Sequence, residues 1–368
     1  MELSPSQVYL GNARLKKAGI TIDYTEEQIT EIVRCSKDID YFCKHYMKIV
    51  SVDEGVIPLE LYDFQKDIMQ SVVENRFSIC KMPRQSGKTT TMVAVILWFV
   101  LFNESFNCAI LANKASTARE ILSRLQMAYE WLPPWLQQGL VEWNKGSLEL
   151  ENGSKILASS TSTSSIRGGS FSLVYLDEFA FVDSTLQEEF FASVYPTISS
   201  GNTSRVMITS TPKGMNLFYK LWVDAEEGRN EYIPIQVHWS AVPGRDEAWK
   251  EQTIKNTSEE QFRQEFECDF IGSSNTLINP TVLTRLVFHD PIQQNENLKI
   301  WKEKVSNHVY AISVDTSRGI GNDYSAFTVV DCSVVPYEVV CTYRSNVISP
   351  MLYPNVIYNT GRMYNDAI

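Results

Sequence analysis

The stretch Lys81-Met82-Pro83-Arg84-Gln85-Ser86-Gly87-Lys88-Thr89-Thr90 constrains the fold of this 368-residue chain more than any other. An apolar run from Phe77 to Cys80 precedes it and reads as a short strand, and Thr91 to Phe102 reads as a buried helix. Gly87-Lys88-Thr89 therefore falls at a strand-to-helix turn, the context that a phosphate-binding loop requires. Amides of such a turn are unsatisfied donors at the positive end of a helix dipole, so they converge on an anion. Lys88 then reaches the β- and γ-phosphates and the Thr89 hydroxyl holds Mg²⁺, with Gln85, Ser86 and Thr90 completing the cradle. The first glycine of G-x-x-x-x-G-K-[ST] would fall at Met82, so the match is partial, and a basic helix cap fits the same residues.

Leu173-Val174-Tyr175-Leu176-Asp177-Glu178 supplies the second signal. A continuous apolar run ending in carboxylates is what a central parallel strand with a reactive C-terminal edge looks like. Behind a phosphate loop, Asp177 assists Mg²⁺ and Glu178 orients and deprotonates the attacking water. Ser204 to Thr209 reads as another buried strand, ending in Thr209-Ser210-Thr211-Pro212. Its hydroxyls fit a γ-phosphate sensor, and equally a cap on a helix begun by Pro212. Upstream, Leu61-Tyr62-Asp63-Phe64-Gln65 places an amide that suits the edge of adenine, although an amphipathic helix with a surface glutamine fits it as well.

The rest of the chain is read around these signals. Glu26 to Ile49 has helical spacing, either a docking element or a packed lid. Asn107 to Ala112 is a strand and Ser116 to Trp131 a helix that stops at Pro133-Pro134. Asn152-Gly153 joins a hairpin that decorates the α/β core. Ser159 to Gly169 reads as a surface loop that brings Arg167 either to a ligand or to solvent. Ile271-Gly272-Ser273-Ser274-Asn275 with Asn279-Pro280 marks a domain boundary, followed by three strands over His308 to Asp315, Ser325 to Asp331 and Tyr337 to Tyr343. A net charge of −11 excludes binding nucleic acid by bulk attraction but is compatible with carboxylate-lined metal sites. Seven cysteines without a C-x-x-C pair read as reduced core residues of a cytosolic protein, and the longest apolar run is too short to cross a bilayer.

Tyr62-Asp63-Phe64-Gln65, Pro83 to Thr89, Ile166-Arg167-Gly168, Val174 to Phe181, Thr209-Ser210-Thr211-Pro212 and Val314-Asp315 with Gly321-Asn322-Asp323-Tyr324 together resemble the large terminase subunit of tailed bacteriophages, most closely the large myovirus type. These motifs cover the chain from about Tyr62 onward in the family's order, and the departure at Met82 is usual in it. The resemblance implies an α/β fold: a P-loop NTPase domain of the additional-strand, catalytic-glutamate class, followed by a ribonuclease H-like nuclease domain. It implies ATP and Mg²⁺ as cofactors. Arg84 would contact the γ-phosphate in cis, Gln65 would read adenine, and Thr209, Ser210 and Thr211 would couple hydrolysis to domain movement. Asp315 would be the first nuclease metal ligand, with Asp323 close by on the neighbouring strand.

The function so implied is packaging of double-stranded viral DNA into a capsid, with an endonuclease that cuts concatemers. The implied partners are that DNA, the capsid's portal protein and a small terminase subunit. A homo-oligomeric ring on the portal would form in the host cytoplasm, transiently on the procapsid and without a membrane. The expected divisions are a helical region over 1–57, the ATPase domain over 58–271, a linker over 272–305 and the start of the nuclease domain over 306–368. The family takes further nuclease acids from beyond the point where this chain ends, so an incomplete domain with little or no cleavage is expected. A superfamily 2 helicase would need a second RecA-like domain, which the segment after Gly272 does not resemble. A capsid-docking module without turnover would have no use for Glu178.

Overall fold

The computed structural model describes residues 3–51, 53–162, 169–199, 201, 203–271, 290–295, 297–321 and 323–368. Arg167 with Ile166 and Gly168, Asn322, and the break expected over 272–275 and 279–280 lie outside them. The chain divides into two compact units, Met1–Thr281 and Val282–Ile368.

The N-terminal stretch, expected to be helical, also contributes two antiparallel hairpins. β1 (Val8–Tyr9) pairs with β2 (Asn12–Lys16), and β3 (Lys48–Ser51) pairs with β4 (Gly55–Pro58). Between them the expected single helix is two, α1 (Glu26–Lys37) and α2 (Ile39–Tyr46). Asp38 separates them at φ −137°, and its carboxylate caps α2 by accepting from the Tyr41 amide at 2.9 Å.

Strands apolar on both faces need cover on both faces, which crossover helices supply. α3 (Asp63–Glu74) leads into β5 (Phe77–Lys81), and the loop leads into α4 (Lys88–Phe102), which is apolar nearly all round and buried. There follow β6 (Asn107–Ala112), α5 (Ala115–Glu130), β7 (Leu140–Trp143), β8 (Ser147–Leu150), β9 (Lys155–Ser160) and β10 (Leu173–Asp177). The unit continues through α6 (Ser184–Ser199), β11 (Arg205–Ser210), α7 (Leu217–Glu226), β12 (Ile233–Gln236), α8 (Glu247–Asn256) and α9 (Glu259–Glu265).

Eight of these strands form one sheet in the order β12-β5-β11-β10-β6-β9-β8-β7. From β12 to β9 all neighbours are parallel, while β8 and β7 run antiparallel. β11 thus lies between the loop strand β5 and the acidic strand β10, which is the additional-strand arrangement expected. Successive side chains go to opposite cores: Cys80, Ile110, Tyr175 and Met207 pack with α4 and α5, whereas Ile79, Leu111, Leu176 and Ile208 pack with Phe218 and Trp222 of α7. The hairpin at Asn152-Gly153 is more than a decoration, because its arm β9 pairs parallel with β6 and widens the central sheet.

In the second unit, β13 (Gln293–Gln294), β14 (Leu298–Ile300), β15 (Tyr310–Asp315), β16 (Ser325–Asp331) and β17 (Glu338–Ser345) form an antiparallel sheet in the order β13-β14-β17-β16-β15. β14 falls in the stretch expected to be linker, yet it pairs with β17 and buries Ile300. The helix Tyr353–Met363 and Tyr364 after it set Tyr353 and Tyr364 against the core of Phe327, Val329 and Tyr343. β15, β16 and β17 are the three strands read from the sequence as the antiparallel start of the expected ribonuclease H-like domain.

Candidate nucleotide site

Parallel strands end on one edge, so the loop after β5, the acids after β10 and the hydroxyls after β11 meet there. Asp177 stands in register with Thr209, and Thr209 with Cys80. Past Cys80 the Met82 amide donates to the Ser210 carbonyl at 3.2 Å. Met82 is buried, and the left-handed positions of the loop are Gln85 (φ 55°) and Gly87 (φ 81°). The position where the common pattern has glycine therefore has no need of one. At Gly87 the need is double: the φ is left-handed, and a Cβ would collide with Gln65 Nε2. Ser86 braces the loop from within, its hydroxyl donating to the Pro83 carbonyl at 2.7 Å. Residues Arg84 to Thr90 line a cleft of about 590 Å³ with Asn113, Thr117, Arg124, Glu178 and Phe181.

Asp177 is 5 % exposed and is held by two hydroxyls. Tyr175 donates to its Oδ1 at 2.6 Å and Thr209 to the same oxygen at 3.2 Å. Burial raises its pKa above the ordinary carboxylate value, and these two hydrogen bonds oppose the shift. Glu178 leaves the strand at once, with φ 48° and ψ 44°. Its Oε1 lies 2.6 Å from Lys88 Nζ, while Oε2 accepts from the Ser210 hydroxyl at 3.4 Å and from the Thr211 amide and hydroxyl at 3.3 Å each. The β11 hydroxyls thus grip both acids. They do not cap a helix begun by Pro212, because α7 starts only at Leu217 and is capped by Asn216. That expectation is corrected: Pro212 lies in the connection between β11 and α7.

Arg84 lines the cleft, but its guanidinium pairs with the Glu265 carboxylate and its amide donates to the Glu265 carbonyl at 3.0 Å. Gln65 is buried beneath the loop instead of on the surface. Its Oε1 accepts from the Tyr62 amide at 2.9 Å and its Nε2 donates to the Gly87 carbonyl at 3.4 Å. Thr89 and Thr90 line the same cleft.

Contributors given no site role from the sequence are Asn113, Thr117, Arg124 and Phe181 in the cleft lining, and Tyr175, Glu265 and Arg245 behind it. Arg245 donates through Nη2 to the carbonyls of Arg84 at 2.9 Å and Gln85 at 3.0 Å. Tyr175 had a signal, since residues two apart on a strand share a face and Asp177 is two beyond it. Glu265 and Arg245 had none.

In the second unit Asp315 ends β15 and is exposed. Asp323, also exposed, lies in the connection just ahead of β16 and not on the strand itself. Asp331 stands at the other end of that strand pair, opposite Tyr310, with His308 Nδ1 2.7 Å from its Oδ2. Among the described residues no group of three or more His, Cys, Asp or Glu is placed to hold a metal ion.

A family model described as the terminase large subunit, T4likevirus-type, N-terminal, matches residues 79–285. The large terminase subunit of Thermus virus P23-45 is 28 % identical over 196 residues, covering 49 % of this chain and 38 % of that protein. Tripartite terminase subunit 3 of equine herpesvirus 2 (strain 86/87) is 23 % identical over 128 residues, covering 33 % of this chain and 18 % of that protein. The matched stretch therefore spans well under half of these relatives' length. The crystal structure of the HK97 bacteriophage large terminase shares the fold, with a TM-score of 0.58 and 17 % identity over 89 % of this chain and 70 % of that one.

Proposed function

The chain belongs to the T4-like large terminase family by its N-terminal domain, and on that premise we propose that it hydrolyses ATP to drive double-stranded DNA into a viral capsid. The observation that carries this reading is the Lys88–Glu178 contact of 2.6 Å at the end of the acidic strand. A site that only bound nucleotide would not need a second carboxylate aimed at the loop lysine. Once the phosphates of ATP engage Lys88, Glu178 is released to take a proton from water as its oxygen attacks the γ-phosphorus and the bond to the ADP oxygen breaks. The contacts from Ser210 and Thr211 keep the freed carboxylate in place.

The Thr89 hydroxyl and the Asp177 carboxylate form a hard-oxygen donor set that suits Mg²⁺, and Asp177 Oδ1 is the oxygen already engaged by hydroxyls. Bound there, Mg²⁺ would neutralise charge on the β- and γ-phosphates. In this reading Arg84 leaves Glu265 to stabilise the γ-phosphate, Gln65 opens its contact with Gly87 to read adenine, and Thr209, Ser210 and Thr211 couple turnover to movement. Residues 58–271 would be the ATPase domain, and the region from 306 onward would belong to an endonuclease with Asp315 and Asp323 as metal ligands. The partners would be viral DNA, portal protein and small terminase subunit, with copies of the chain in a ring on the procapsid in the host cytoplasm. Among the described residues no helix is long and apolar enough to cross a membrane.

A superfamily 2 helicase would need a second parallel RecA-like unit, whereas the described strands of the second unit are antiparallel. Steady-state phosphate release tests the proposal, using the chain and Glu178→Gln, alone and with single- or double-stranded DNA. Turnover by the wild type, a loss of roughly a hundredfold or more in the variant and no unwinding are expected. Strong stimulation by single strands with duplex unwinding would replace the motor by a helicase, and tight ATP binding without turnover would leave a docking module.

A further inference from the structure

Arg245 does not line the cleft, yet it holds two consecutive loop carbonyls, those of Arg84 and Gln85, through one nitrogen. A trans peptide sets each carbonyl opposite the next residue's N–H. Drawing the carbonyls of Arg84 and Gln85 towards Arg245 therefore turns the amides of Gln85 and Ser86 away from it. Gln85 and Ser86 both line the cleft. The same contact explains how Gln85, a residue with a side chain, stays at φ 55°.

The guanidinium is itself held. Its plane packs over Trp249 of α8 at 4.8 Å and over Phe266, next to α9, at 5.4 Å. Glu265, one residue earlier, grips the amide and side chain of Arg84. The segment from Arg245 to Phe266 thus fastens the loop through four contacts. Charge adds to geometry: Lys88 is paired with Glu178 and Arg84 with Glu265, whereas Arg245 has no carboxylate partner among the described residues, and its Nη1 is buried without a hydrogen-bond partner. An uncompensated cation behind a turn of amides favours an anion in front of it.

We propose that Arg245 is a positioning residue of the nucleotide site: it fixes the loop carbonyls so that the amides face the phosphates, and it adds a positive charge that no carboxylate among the described residues offsets. This deepens the nucleotide reading above and rests on it. The test is calorimetric binding of ADP and of tripolyphosphate, which lacks the base, to the full chain and to Arg245→Ala and Arg245→Lys. Arg245→Ala is expected to weaken both ligands in parallel by about tenfold or more, the loss of charge-assisted hydrogen bonds. KM for ATP should rise while kcat at saturation changes by less than about threefold. Arg245→Lys keeps the charge without the planar fork, and should fall between the two, which also serves if the alanine variant does not fold. Unchanged affinities in the lysine and alanine variants overturn the proposal, as does weaker ADP with unchanged tripolyphosphate, which would assign Arg245 to the base. A wild-type chain that binds neither probe overturns the nucleotide reading and this inference with it.

Discussion

Tyr175 and Asp177 share one face of β10, and that proximity opposes the larger effect of burial on how Asp177 responds to pH. Burial lifts the Asp177 pKa above its ordinary 3.8, and the Tyr175 and Thr209 hydroxyls pull it back. A folded-state value above the unfolded one means that the native chain holds the proton more tightly. The resulting stability is full below the ordinary carboxylate value and is lost as pH rises through the raised value. A divalent cation needs the ionised form, so Mg²⁺-dependent ADP affinity should climb with pH over that same window. Tyr175→Phe removes the stronger opposing hydrogen bond. Its acid limb in a titration of Mg²⁺-ADP binding should move to higher pH, and denaturant unfolding at neutral pH should report a loss of about 1–3 kcal/mol. A limb that stays in place would show that the hydroxyl does not tune Asp177.

The N-terminus of α4 depends on another element, α3. Gly87 has φ 81°, and the Gln65 side chain, tied to the Tyr62 amide, occupies the space a Cβ would take. Gly87→Ala should therefore cost about 1–2 kcal/mol from the left-handed backbone alone, with a further loss from the collision and no measurable ADP binding. Combining it with Gln65→Ala separates the two effects: denaturant midpoints should recover the collision component and leave the backbone component. If the double variant were no more stable than Gly87→Ala, the steric account of Gln65 would be wrong. The same pair explains why an expected surface amide is buried: α3 directs it under the loop.

At the level of the whole chain, the first unit assembles its acids, hydroxyls and cation on one sheet edge, whereas the second presents Asp315 and Asp323 near one end of its hairpin. Two-metal cleavage of DNA needs several carboxylates around ions about 4 Å apart. With Asp315 proposed as one of these ligands, any nicking of plasmid by the purified chain in Mg²⁺ should fall about tenfold or more in Asp315→Ala; nicking unchanged in that variant would remove Asp315 from the reading. With a net charge of −11, any DNA contact would rest on local groups and not on a broadly basic surface.

Continuous apolar runs determined β5, β6, β10 and β11 from the sequence alone, because a strand buried on both faces leaves an unbroken local pattern. The loop and the Asp177-Glu178 pair followed from their position at the ends of those runs. Local pattern also placed the turn at Asn152-Gly153, but not the role of β9, whose partner β6 lies elsewhere in the chain. Asp38 split one helical period in two because its side chain capped the second half, a choice the period does not record. Arg245 lies 161 residues from the carbonyl of Arg84, and Glu265 lies 181 from the guanidinium it holds. Spacing along a chain carries no information at such separations; the folded sheet and the helices after β12 bring these groups together, so only the tertiary structure decided what holds the loop.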